Sequence, residues 1–140
     1  MNINKFTQKS IQAVNDLEKI AYEYGNQEIE EEHLLYCLLN QEDSLILKLI
    51  EKMEINKDEL QRSLIDALNK RPKVSGGQVY IGKDLNRVLV SAEDEAKAMG
   101  DEYVSVEHLF LSLLRYPNAG IRDLFRNYGI TRDRFLQALS

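Results

Sequence analysis

EEHLLYCLL at residues 31–39 returns as VEHLFLSLL at residues 106–114, and this echo decides how the chain is read. In both stretches leucines recur three and four positions apart, the period of one helical face. In both, Glu-His-Leu opens the run. The echo extends well beyond nine residues. An offset of 75 pairs Gly25 with Gly100, Glu32 with Glu107, His33 with His108, Leu34 with Leu109, Leu38 with Leu113 and Leu39 with Leu114. The same offset pairs Ala21 with Ala96, Leu49 with Leu124, Ile55 with Ile130 and Asp58 with Asp133; Val14 and Leu89, like Ile50 and Phe125, match apolar for apolar. One offset serving all these pairs without a gap is an internal duplication. It predicts two four-helix units related by a pseudo-twofold or similar operator.

Working outward, Ile11, Val14, Leu17, Ala21 and Tyr24 line one helical face, and Gly25 follows as a left-handed C-terminal residue. A helix carrying Leu45, Leu49, Ile50 and Met53 begins at Ser44. Another begins at Asn56, with Glu59 three residues on in a capping-box arrangement, and continues through Leu60, Leu64 and Leu68. No segment alternates with period two for long enough to predict a strand. NKRPKVSGGQVYIG, residues 69–82, holds one of the two prolines and three of the seven glycines, which marks a linker. The expected organisation is a first repeat over 1–68, a linker over 69–82 and a second repeat over 83–140, together one compact all-α domain of eight helices.

Composition narrows the function classes. A chain of 140 residues with 44% hydrophobic and 29% charged residues can bury a core and is not a disordered tail. Its apolar runs are too short for a membrane span, and MNINKFTQKS lacks the apolar stretch of a secretory signal. A net charge of −5 argues against a nucleic-acid groove. The single Cys37 cannot form an internal disulfide, which fits a reducing cytoplasm. The expected setting is cytoplasmic, with no nucleic-acid and no membrane partner.

Four constellations invite chemistry. GQVYIGKD, residues 77–84, has the GxxxxGK spacing of a phosphate loop, but Asp84 stands where a magnesium-binding hydroxyl belongs and no buried strand precedes the glycines. Glu30 and His33 form an E-x-x-H pair as in di-iron bundles, yet Ser105 replaces the partner acid in the second copy. The run Glu30, Glu31, Glu32 suits the positive end of a helix dipole. That accounts for acids in general but not for Glu-His-Leu returning 75 residues later. His33 and His108 read as packing or capping residues before ligands. Cys37 corresponds to Ser112, so the position needs a small side chain rather than a nucleophile. No catalytic set emerges, and neither a metal nor a cofactor is expected in this chain. A helical metalloenzyme built on Glu30, Glu32, His33, Glu107 and His108 is the competing class.

With FTQKS at residues 6–10, the two Glu-His-Leu helices and GITRDRF at residues 129–135, the chain resembles the N-terminal domain of the Clp family of AAA+ unfoldases over essentially its whole length. LLNQEDS at residues 38–44 and the linker ALNKRPKVSGGQVYIGKDL look most like the ClpB-type disaggregases. The resemblance implies capture of unfolded or aggregated polypeptide for a hexameric AAA+ ring of the same parent chain, with a co-chaperone or adaptor as a further partner. ATP and magnesium would belong to that parent. The 140 residues themselves are expected not to be an enzyme.

The family's substrate cleft lies between the repeats. Its polar markers fall on Thr7 and Glu107, and its apolar positions on Ser91, Glu95 and His108, which are polar here. Leu85, Val88 and Leu109 are nearby apolar residues that either line the cleft or belong to the core. An alternative drawn from protease-coupled relatives of the ClpC type is adaptor binding or phosphoarginine binding, the latter by a Thr and a Glu in each repeat. Thr7 with Glu32 matches the first pair, while Gly82 beside Glu107 breaks the second.

Overall fold

The computed structural model describes all of residues 1–140. A short 3-10 turn at Ile3–Lys5 leads into α1 (Gln8–Glu23), β1 (Glu28–Ile29), α2 (Glu31–Leu39), α3 (Leu45–Lys52), α4 (Lys57–Asn69), β2 (Tyr80–Ile81), α5 (Lys83–Ala98), α6 (Val106–Arg115), α7 (Ala119–Asn127) and α8 (Arg132–Leu139). The eight helices fall into two sets of four, α1–α4 and α5–α8, as the duplication predicts. Their boundaries follow the predicted chemistry. Thr7 caps α1 by accepting from the Ser10 N–H, Ser44 caps α3 by accepting from Leu47, and Asn56 caps α4 by accepting from Asp58 and Glu59. Gly25 and Gly100 close α1 and α5 at φ of 70° and 73°, a left-handed conformation that costs a side-chain-bearing residue energy.

The halves are not independent. One apolar cluster of 36 buried residues draws on every helix of both repeats. Helix α2 packs on α5, α6 and α7; α3 packs on α6 and α8; α4 packs on α7. The core of the second half carries three phenylalanines at places where the first half is aliphatic. Phe110 stacks on Phe135 at 4.4 Å and on Phe125 at 5.4 Å between ring centroids, where the first half has Leu35, Leu60 and Ile50 at the corresponding positions.

The 69–82 stretch departs from a free linker. Tyr80–Ile81 forms a parallel ladder with Glu28–Ile29, and Gly82 N–H donates to Ile29 O at 2.8 Å. Upstream, Val74 N–H donates to Gly25 O, Asn26 Nδ2 to Pro72 O and Lys73 Nζ to Tyr24 O. Two residues are too few for a period to show in sequence, which is why no strand was expected there. The first half has the counterpart of this ladder. Phe6 bridges Val104 in parallel, and Thr7 N–H donates to Val104 O at 3.0 Å. Each repeat therefore threads its opening segment against the other repeat's entry to its second helix.

Leu38 and Leu113 are fully buried at matched places in this shared core. Leu38→Ala and Leu113→Ala are each expected to cost about 2–5 kcal/mol. Denaturant melts in which either variant equals the parent chain would remove the shared-core assignment.

Candidate functional site

The two backbone crossings create two related places, each where the N-terminus of a long first helix meets the head of the other repeat's second helix. At the first, α1 starts at Thr7 beside Val104 and Ser105, just ahead of Glu107 in the first turn of α6. At the second, α5 starts at Gly82 beside Ile29 and Glu30, just ahead of Glu31 and Glu32 in the first turn of α2. Thr7 thus belongs with Glu107, and Glu32 with Gly82. The Thr7–Glu32 pairing drawn within one repeat is corrected on this point: the threaded ladders exchange the partners.

Both second helices are opened by the same device. His33 Nδ1 accepts the Glu30 N–H at 2.9 Å and its Nε2–H donates to Asn26 Oδ1 at 2.9 Å. His108 Nδ1 accepts the Ser105 N–H at 2.8 Å and its Nε2–H donates to Asp101 Oδ2 at 2.8 Å. Each imidazole takes the role that Glu or Gln plays in a capping box. This explains why Glu-His-Leu survives duplication while its neighbours change. It also corrects two readings. His108 is buried with both ring nitrogens engaged, so it does not face a cleft. Neither histidine has a free lone pair for a metal.

The two places are filled differently. At Gly82 a Cβ would fall on the Glu30 carboxylate, so Gly82 and Glu30 form a matched exchange of bulk for Thr7 and Ser105 in the other copy. Around it Arg71 of the linker donates to Glu28 Oε1 and Glu32 Oε2, both at 3.2 Å. Asn118 donates through its N–H to Glu31 Oε1 at 3.0 Å and through Nδ2 to Glu32 Oε1 at 2.9 Å. Glu30, Glu31 and Glu32 are all buried, and Oε2 of Glu30 and of Glu31 has no partner. The acids are therefore not a solvated first turn. Burial pushes the Glu30 carboxyl up to about 7 and the Glu31 carboxyl up to about 8, with neighbouring acids adding to both. At neutral pH the shift favours the neutral form of Glu31. Burial, then the Arg71 charge, pull His33 down to about 4 and keep it neutral.

At the Thr7 place nothing comparable closes the site. Thr7 is half-buried; its hydroxyl accepts from Ser10 N–H at 3.3 Å and donates to Ser10 Oγ at 3.1 Å, which leaves one lone pair. Glu107 is half-buried, and no group in the chain hydrogen-bonds or ion-pairs with its carboxylate. Next to Thr7, a shallow cavity of about 490 Å³ lies along α1 alone, lined by Gln8, Lys9, Ile11, Gln12, Asn15 and Asp16.

The remaining cleft residues separate clearly. Ser91 is half-buried on α5 and remains available to a ligand. Glu95 is only 2% exposed, and its carboxylate is held by Arg115 Nε at 2.5 Å and Arg132 Nη2 at 2.6 Å, tying α5 to α6 and α8. Burial pushes this carboxyl up, but the two arginines outweigh burial and hold it below the usual range. Glu95 is an internal anchor, not a cleft residue, and this corrects its placement. Leu85, Val88 and Leu109 are fully buried core. Cys37 is buried with its thiol pushed up to about 12, while Ser112 at the matching place donates to Val88 O, so both serve helix contact. In the 77–84 stretch the Gly82 N–H is already spent on Ile29 O, and Asp84 sits in the first turn of α5.

The buried acids set a pH dependence of known sign. Glu31, raised from 4.5, contributes stability that is complete below about pH 4.5 and lost as pH rises through about 8. His33, lowered from 6.5, contributes stability that is present above 6.5 and lost as pH falls toward about 4. Glu31→Gln keeps an oxygen for the Asn118 N–H and removes the alkaline loss. It is expected to stabilise the fold at pH 8 by roughly 1–3 kcal/mol and to do less at pH 6. Urea melts of equal midpoint for variant and parent at pH 8 would show that Glu31 ionises without penalty. Glu95→Leu, by contrast, strands Arg115 and Arg132 and is expected to destabilise by about 1–2 kcal/mol, read in the same melts.

Comparison with known proteins agrees with this architecture. Residues 5–128 match the family model described as the Clp repeat (R) N-terminal domain. The chaperone protein ClpB of Nitratidesulfovibrio vulgaris is 41% identical over 99% of this chain, and that of Clostridium tetani is 38% identical over 99%. The chain spans 17% of the length of each of these relatives. Among solved structures, the Hsp104 N-terminal domain from Candida albicans superposes with a TM-score of 0.84 at 22% identity, covering 97% of this chain and 90% of that one. A ClpV N-domain solved in complex with a VipB peptide superposes at 0.77 with 20% identity, covering 97% and 89%. With its duplicated helices, exchanged ladders and histidine caps, the chain belongs to the Clp repeat N-terminal domain family and is similar to the N-terminal part of ClpB chaperones.

Proposed function

We propose that this domain recruits unfolded or aggregated polypeptide for an ATP-driven disaggregase or unfoldase, holding it weakly between the repeats at Thr7, Glu107 and Ser91. The observation that carries the reading is the contrast between the two helix-head places. Glu32 already holds Arg71 and Asn118, whereas Glu107 keeps a half-exposed carboxylate without an internal partner, three residues after the Val104 that Thr7 N–H bonds. Such a pair can accept peptide N–H groups and offers nothing that reads a particular sequence. The ClpV N-domain solved with a VipB peptide supports a polypeptide as the kind of ligand.

Energetics favour weak binding. Burial of roughly 300 Å² of apolar surface yields about 7 kcal/mol gross. Association costs on the order of 4–15 kcal/mol. A parent ring presenting several copies would recover avidity through effective concentration. ATP and magnesium would be the parent motor's, not this domain's.

One observation favours the phosphoarginine reading as the alternative: Glu28 and Glu32 together hold the guanidinium of Arg71, so the acidic head of α2 suits that group. A phosphoarginine would have to displace Arg71 there, and at Gly82 it would find no threonine hydroxyl.

NMR titration of the domain with an unfolded model polypeptide tests both. Shifts are expected at Thr7, Ser91 and Glu107, and Glu107→Ala is expected to weaken binding about threefold to tenfold with an unchanged melting midpoint. Shifts confined to other faces would overturn the reading. Phosphoarginine alone shifting Glu32 and releasing Arg71, with no response to the unfolded chain, would favour the alternative.

A further inference from the structure

Apart from the two helix-head places, the second repeat carries a cavity of about 450 Å³ between the start of α5 and the α6–α7 turn, walled by Arg87, Arg115, Arg122, Tyr116 and Asp84. We propose that this cavity is a second docking site, which takes the side-chain carboxylates of an acidic polypeptide segment.

The duplication supplies an internal control on what the scaffold needs. At the offset of 75, Arg87, Arg115 and Arg122 correspond to Gln12, Asn40 and Leu47, and Tyr116 corresponds to Gln41. The first repeat builds the same four helices without any of these arginines, so the fold does not require them. Only one is ion-paired. Arg115 spends its Nε on Glu95, which also engages Arg132. Arg87 lies over the Tyr116 ring at 4.0 Å from its centroid, and Arg122 makes a single long contact of 3.4 Å to Pro117 O. Neither Arg87 nor Arg122 has a carboxylate in ion-pair range, in a chain that carries 23 acids to 18 basic residues. Two unpaired guanidinium groups beside one cavity in an acidic protein are a local reversal of charge.

The geometry selects the ligand. With its face on Tyr116, Arg87 keeps its edge N–H donors for a partner, and a fork of this kind matches a planar carboxylate through two parallel bonds. Asp84 in the wall repels a dianionic phosphate more than a monoanionic carboxylate. It can also accept a peptide N–H. The net charge of −5 repels long polyanions as a whole, so the attraction acts only at short range. A short acidic stretch of polypeptide meets all three conditions.

Fluorescence anisotropy with a labelled peptide rich in Asp and Glu, against its Asn/Gln counterpart, tests the site on the whole 140-residue chain. The acidic peptide is expected to bind more tightly than the amide peptide, with the difference shrinking as salt rises from about 0.05 to 0.5 M. The Arg87→Gln/Arg122→Gln double variant is expected to lose at least about tenfold in affinity while melting like the parent, because neither residue is buried or ion-paired. The preference for the acidic over the amide peptide is expected to persist in Glu107→Ala, which separates the site from the cleft. Equal affinity in the double variant, equal affinity for the amide peptide, or binding of inorganic phosphate without the acidic peptide would each overturn the assignment.

Discussion

Two short parallel contacts between the repeats hold the architecture: Thr7 N–H to Val104 O, and Gly82 N–H to Ile29 O. They are the same contact in duplicate, displaced by 75 residues at each end. Each repeat lays its opening segment against the other, and the same two halves share a single apolar core through α2, α5, α6 and α7. The exchange also puts a helix N-terminus against a helix N-terminus, twice. Backbone N–H groups converge there, and acids with hydrogen-bonding partners gather where helix dipoles favour them.

Duplication offered one scaffold, and the two copies satisfy it by opposite means. In the first helix-head place a threonine meets a serine-capped helix, and the acid in the turn stays open. In the second a glycine makes room for Glu30, Asn118 bonds Glu31 and Glu32, Arg71 holds Glu32, and burial favours the neutral forms of Glu30 and Glu31. Buried carboxylates are costly unless paired or neutral. The linker arginine is therefore part of the site and not a tether, which also explains why Pro72, Lys73 and Val74 are pinned beside Gly25 and Asn26.

The sequence made the duplication, the eight helices and most caps legible because leucine spacing and capping residues are local signals. Ser44, Asn56 and Gly25 each act where their side-chain chemistry or backbone freedom predicts. What it concealed was long-range. The two-residue ladders have no period, and the exchange of partners between Thr7 and Glu32 depends on how distant segments thread. Glu95 reads as a surface acid until Arg115 and Arg132, from two other helices, close on it. The histidine caps were half visible, since recurrence of Glu-His-Leu marked the position as constrained but not by what.

The asymmetry bears on how such a domain would work in the proposed role. If both helix-head places were open, one copy could grip an extended chain at two points and hold it tightly. Here one is occupied by the domain's own Arg71, with the Glu30 carboxylate in the space a threonine would need. A single copy is left with one open acid, Glu107. Tight capture would then have to come from many copies acting together, and release would need only one weak contact to break at a time. For a recruiter that must hand its ligand onward, that division places affinity in the assembly and keeps the individual domain exchangeable.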